Sequence, residues 1–176
     1  MKSQIEKLFS GAATAACLSE QYQSFDVLDP QSGVQRQSGE IDTPCVCKPV
    51  GEGHFSVTLS SSKAVCFGAV DACLMKSSEQ PKCDFILFDE ARFYFADIKN
   101  VSKSNRKNAR SDAYDQLEST IAHFSKIDFS GFDKYAIVAL VSGGKYPIFE
   151  TKSQSKQKEF WDKYRTSLKE GNEVTF

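Results

Sequence analysis

Residues 83–99 read Cys83-Asp84-Phe85-Ile86-Leu87-Phe88-Asp89-Glu90-Ala91-Arg92-Phe93-Tyr94-Phe95-Ala96-Asp97-Ile98-Lys99. Two runs rich in aromatic and β-branched residues flank a polar turn, which predicts an antiparallel hairpin. With the turn centred between Glu90 and Ala91, Asp89 faces Arg92 and Asp84 lies opposite Asp97. Opposed side chains share a face with Cβ atoms about 5 Å apart, and alternation places Lys99 on that face. Ile86, Phe88, Phe93 and Phe95 complete it, while Phe85, Leu87, Tyr94 and Ile98 occupy the other, so both faces need cover. A one-residue slip would send the two acids to opposite faces.

Working outward, Ser111 and Asp112 offer N-caps to a helix whose apolar stripe is Ala113, Leu117, Ile121 and Phe124. Tyr135 to Val141 is an unbroken apolar run of strand length, expected to be covered on both sides. Upstream, Ser3 to about Gln23 carries near-helical apolar spacing, with Gly11 as a breaking point. Asp29 to Gly53 reads mostly as loop, with a short strand within Thr43 to Val50. His54 to Leu59 and Ala64 to Val70 read as a second hairpin, and residues 77–81 as a break. A last helix is expected over Gln157 to Lys169. This order predicts an α/β fold, a mixed central β-sheet flanked by helices, as one domain over residues 1–176.

The 176 residues include 22 Lys and Arg against 23 Asp and Glu. A chain of this length buries roughly 70% of its unfolded surface and needs no disulfide or structural metal. No apolar run approaches the ~20 residues of a transmembrane helix, so no membrane partner is expected. The six cysteines accordingly read as reduced thiols of a cytoplasmic protein. Residues Leu8 to Cys17 faintly resemble a signal peptide ending at a lipid-modified cysteine, but Glu6 between the leading lysines argues against it.

Two carboxylates and an ammonium at the end of an apolar face are costly unless they bind something. Paired carboxylates suit Mg²⁺ or Mn²⁺, which accept phosphate oxygens and acidify a bound water, and Lys99 could steady that water or the phosphate charge. The chemistry implied is metal-assisted phosphodiester hydrolysis. The plainer alternative is a pair of strand-end acids near solvent, one of them paired with Lys99.

Pro81-Lys82-Cys83-Asp84, then Asp97-Ile98-Lys99, then a helix with Gln116, resemble the PD-(D/E)xK nuclease superfamily. That resemblance implies a restriction-endonuclease-like core of order α-β-β-β-α-β and a Mg²⁺- or Mn²⁺-dependent nuclease. Asp84 and Asp97 would be metal ligands, Lys99 the catalytic lysine, Gln116 the helix residue, and Glu6, or else Glu20, the first-helix acid. Cys83 stands where the motif has proline, and Asp97 where Glu is commoner. It also implies work within a larger defence or repair assembly or as a homodimer, with DNA favoured over RNA. The alternative is a non-catalytic module of the same fold that binds nucleic acid or protein.

Lys103, Arg106, Lys107 and Arg110 follow Lys99 with no acid among them, beside Ser102, Ser104, Asn105 and Asn108, and are expected to meet phosphates. The C-terminal Lys152, Lys156, Lys158, Lys163, Arg165 and Lys169 read as a solvated face that could extend this surface. Other motifs fall short. Cys45-Val46-Cys47 with His54 lacks paired zinc spacing, Ser142-Gly143-Gly144-Lys145 lacks the Walker residues, and His123 sits two helical turns past Gln116 with no nucleophile.

Overall fold

The computed structural model describes residues 1–9, 16–30, 43–61, 63–75, 80–142, 146–147 and 154–176. The expected break at Gly11, the centre of the Asp29–Gly53 loop, positions 77–79, the turn at Gly143–Lys145 and Lys152 lie outside them.

The chain runs through α1 (Lys2–Leu8), β1 (Leu18–Gln21), β2 (Phe25–Leu28), β3 (Val46–Lys48), β4 (Phe55–Thr58), β5 (Val65–Ala69), β6 (Phe85–Phe88) and β7 (Arg92–Asn100). A 3₁₀ turn at Lys103–Asn105 leads into α2 (Arg106–Phe124). Then come β8 (Asp133–Ser142), β9 (Tyr146–Pro147), α3 (Gln154–Tyr164), β10 (Ser167–Glu170) and β11 (Glu173–Thr175). The large sheet has the order β1-β5-β6-β7-β8-β10, with β9 also on β8, and the small sheet the order β11-β4-β2-β3. Both are mixed. β5, β6 and β7 form an antiparallel meander, and α2 crosses over to set β8 parallel to β7.

Side-chain alternation builds three layers from this topology. Ile86, Phe88, Phe93 and Phe95 pack with Ile5 of α1, Ala113, Leu117 and Phe124 of α2, and Phe160 of α3. Phe85, Leu87, Tyr94 and Ile98 pack instead on Phe25, Val27, Phe55, Val57 and Val174 of the small sheet. The large sheet is therefore buried on both faces, and β8 is buried from Ala136 to Val141 as its apolar run predicts.

Phe85↔Ala96, Leu87↔Tyr94 and Phe88↔Phe93 are the expected partners of the central hairpin. Elsewhere tertiary pairing overrides local preference. Of the predicted opening helix, the described residues show α1 and a helical Ala16–Cys17, and Leu18–Gln21 is instead a strand because it pairs with β5. The segments around 55–58 and 65–69 are strands, but they lie in different sheets and form no hairpin. α2 begins at Arg106 instead of Ser111, since buried Ala109 extends the apolar stripe by a turn. The last helix stops at Tyr164, and Leu168 lies on β10, which pairs parallel to β8.

The expectation of six reduced thiols also fails. Cys17 and Cys73 form a disulfide with Cα atoms 5.6 Å apart, while Cys45, Cys47, Cys66 and Cys83 are free. The bridge ties the start of β1 to the turn after β5 across 56 residues of sequence. Loop-closure entropy for that span amounts to about 4 kcal/mol. Reduction, or Cys73→Ser, should lower the midpoint of thermal unfolding by about 8–16 °C in a domain of this size. An unchanged melting curve after thiol titration confirms reduction would show that the bridge contributes nothing.

Candidate metal centre

The site stands at the end of β7 from which the chain leaves toward α2. Asp84 precedes β6 directly; its N–H donates to Ala96 O (3.1 Å), and its Oδ2 accepts the N–H of Ile98 (2.6 Å). The carboxylate thus takes the place of a main-chain acceptor in the β6–β7 ladder, which fixes its position. Its own carbonyl accepts the N–H of Val70 (2.9 Å) and of Asp71 (3.3 Å). Asp97 and Lys99 project from β7 on the helix-facing side, and α2 supplies Gln116. Lys99 Nζ donates to Asp97 Oδ1 (2.7 Å) and Gln116 Oε1 (2.5 Å). These two bonds leave one ammonium N–H for a further oxygen.

α2 is seated by one polar relay as well as by its apolar stripe. Cys83 N–H donates to Thr120 Oγ1 (2.8 Å), whose hydroxyl donates to Gln116 O (2.9 Å). A proline at position 83 has no N–H to make the first bond, which gives a local reason for the cysteine there.

Asp97 is fully buried and Asp84 is 9% exposed. Burial pushes the Asp84 carboxyl well up, and the neighbouring Asp97 charge pushes it further against the pull of Lys99. Asp97 is also raised by burial, with Lys99 opposing. Lys99 loses by burial but is held above its ordinary value by Asp97 and then Asp84. The pair therefore retains a proton that isolated acids would release.

Sequence reasoning missed two further acids. Asp29 follows β2, whose pairing Leu28↔Val46 carries it to the end of the small sheet beside Cys45. Its charge raises Asp84 and Lys99. Asp71 acts on Asp97 and pairs with the buried Lys82 (3.2 Å). Both contacts cross sheets or loops, where sequence periodicity carries no information.

The other predicted residues are dispersed. Glu6 sits on α1, and its charge acts on Lys2 and Cys66, not on the acidic pair. Glu20 is on β1 and pairs with Lys2 (3.0 Å), so it is no helix acid. Arg110 forks onto Glu170 of β10 (2.8 and 3.3 Å), an ion pair within the fold. Arg106 and Lys107 open α2, Lys107 exposed and Arg106 half-buried, and Lys103 lies in the preceding 3₁₀ turn. His123 stacks on Phe9, with ring centroids 5.4 Å apart.

The chain matches no family model, no curated protein and no solved structure.

Whether these residues suit a divalent ion turns on Asp97 Oδ2, a buried oxygen that receives no N–H or hydroxyl and belongs to a carboxyl hydrogen-bonded to that of Asp84. Two facing carboxyls hold a proton between them, and a cation can take that proton's place. Among the described residues no three His, Cys, Asp or Glu side chains gather into a metal-holding group, so Cys45, Cys47 and His54 do not assemble one either. Asp84 and Asp97 are the carboxylates that would face an ion here, and the remaining positions of a Mg²⁺ would have to be filled by other oxygens.

The raised carboxyls set the sign of a pH effect. An acid whose folded value is raised contributes stability below its ordinary range, and that stability is lost as pH rises through the raised value. Asp84→Asn keeps an acceptor for Ile98 and removes the buried charge. In metal-free buffer it should melt a few degrees above wild type at pH 8, and the gap should close as pH approaches 4. A variant less stable than wild type at pH 8 would contradict the buried-charge assignment.

Proposed function

We propose that the protein is a metal-dependent nuclease in which Asp84 and Asp97 hold Mg²⁺ or Mn²⁺ and Lys99 is the catalytic lysine. The observation that carries this reading is the buried carboxyl pair of Asp97 and Asp84, whose Asp97 Oδ2 receives no N–H or hydroxyl, beside a lysine with a donor to spare. The meander β5-β6-β7 followed by α2 and parallel β8, with α1 on the helix side, supports the restriction-endonuclease-like order.

A hard cation bound there supplies Lewis-acid activation of a water and of a phosphodiester oxygen. The protein's residues do the remaining work. Asp84 and Asp97 would hold the cation, and would release the proton they share to solvent on doing so. Gln116 and Asp97 hold Lys99 Nζ in place, so its third N–H meets a substrate oxygen without reorganisation. Burial of the acids keeps competing water away from their inner oxygens.

Lys103, Arg106 and Lys107 are proposed to grip the backbone, DNA in preference to RNA. Cations in the first turn of α2, with no acid there, oppose the helix dipole by about 0.3–1 kcal/mol each. A phosphate at that end offsets the repulsion.

One observation favours the alternative of a non-catalytic module: Glu6 does not join the acids, which leaves two carboxylates where the resemblance implies three. Incubation of plasmid and single-stranded oligonucleotide with Mg²⁺ or Mn²⁺ decides between them. The nuclease reading expects cleavage by wild type and a loss of about 10²-fold or more in Asp97→Asn. It also expects Mn²⁺ binding by calorimetry with proton release. Absence of both cleavage and Mn²⁺ binding would leave the module.

A further inference from the structure

At the opposite end of the large sheet, where β8 begins, a groove of about 690 Å³ runs between the end of α2, the segment 125–135 and the end of α3. The register Arg92↔Asp133 sets it at the start of β7 and β8, whereas Asp97 and Lys99 pair with Val138 and Leu140 farther along. Its wall includes Phe129, Phe132, Tyr164 and Trp161, the chain's single tryptophan, which is 49% exposed. A second concavity of about 450 Å³ borders the same Trp161, with Lys158, Leu168 and Lys169.

The cations here are unusual in what they rest on. Lys134 Nζ lies 5.4 Å from the Phe129 ring, the Arg165 guanidinium 5.9 Å from Trp161, and Lys169 Nζ 4.1 Å from Tyr135. Aromatic rings hold these groups without neutralising them. Lys134 also donates to Tyr164 O (2.6 Å), which is uncharged. By contrast Lys163 is matched by Glu118 (3.2 Å), and Lys158 faces Asp162 (4.0 Å). Among the described residues Asp133 is the one acid in the wall of the larger groove. Arg165 therefore stands beside an exposed indole, with Lys134 farther along the same groove, while Lys169 rests on Tyr135 at the other face of the sheet.

Arg165 adds a second mark. It ends α3 with φ +53°, the left-handed region, and donates its N–H to Trp161 O (2.9 Å). Glycine is the residue that takes this position at least cost. Arginine there opposes local preference and holds its guanidinium beside the indole.

We propose that Trp161, with Arg165 and Lys134, is a stacking platform for a single-stranded nucleic acid. Two hollows on either side of one exposed aromatic suit consecutive nucleotides of a strand, bases stacked on the indole and phosphates on the cations. Single strands present the unpaired π-faces that a duplex hides. The surface shares only its ligand class with the proposed metal centre, and its occupancy requires no metal.

Because Trp161 is the sole tryptophan, its emission reports on this site directly. The test titrates a dT10 oligonucleotide into the full chain in EDTA and repeats the measurement with Asp97→Asn, which disables the proposed metal centre. Quenching by dT10 is expected in both proteins, with a slope of log K against log salt of about −1.4 for two phosphates. Fluorescence anisotropy of labelled dT10 should show about tenfold weaker binding for Trp161→Phe. Arg165→Gly should also bind more weakly while melting no lower than wild type, because glycine suits the helix end. The proposal is overturned if dT10 causes neither quenching nor an anisotropy change, or if dTMP alone binds as well as dT10. A duplex bound as tightly as the single strand, or unchanged affinity in Arg165→Gly, would overturn it too. Failure here with intact Mg²⁺-dependent cleavage would leave the metal centre standing, and the converse would leave the platform.

Discussion

Two carboxylates are held abreast in the interior by the β6–β7 ladder, and the proposed chemistry rests on that juxtaposition. Like charges in a poorly solvated place repel, and neither can turn toward water without breaking the sheet. Asp84 is bound to Ile98 N–H, and Asp97 is bound to Lys99. The main-chain bonds of β5, β6 and β7 supply the constraint, and the site stores its consequence as a proton retained between the two carboxyls. A fold that needed only a stable core would place a hydrophobic residue at 97, as it does at Phe93 and Phe95.

The second sheet explains how so much charge can sit beside a hydrophobic core. The large sheet is roofed by helices and floored by β2, β3, β4 and β11, so its central strands are apolar on both sides. At the edge of this sandwich, Asp29 and Asp71 enter from loops and deepen the negative field around the pair. Lys82 and Lys99 partly balance it from within. The result is a localised acidic cluster in a chain whose 22 basic and 23 acidic residues otherwise nearly cancel.

How much of this was legible depends on the range of the interaction concerned. The hairpin register, the convergence of Asp84, Asp97 and Lys99, and the place of Gln116 on the following helix all follow from alternation and helical spacing over short distances. β8 was legible for the same reason, as a run too apolar to be exposed on either side. What escaped depends on partners remote in sequence. Leu18–Gln21 has the composition of a helix and becomes a strand because β5 offers it an edge. Phe55–Thr58 looks like one arm of a hairpin but answers to Phe25–Leu28. The partner of Arg110 was likewise hidden, since Glu170 lies 60 residues later. The Cys17–Cys73 bridge could not be read from spacing, since six cysteines admit many pairings.

Strand β8 lies between β7 on one side and two short strands on the other, β10 along Tyr135–Val138 and β9 along Val141–Ser142. Gly171 N–H adds a bond to Val138 O, and Val101 N–H one to Val141 O. Three separate parts of the chain thus converge on a single strand, including the segment after α3. An opening motion that exposes the backbone of β8 must first detach the C-terminal segment. Its amides should belong to the slowest-exchanging set in the molecule, and the meander and the last strands are coupled in one cooperative unit through it.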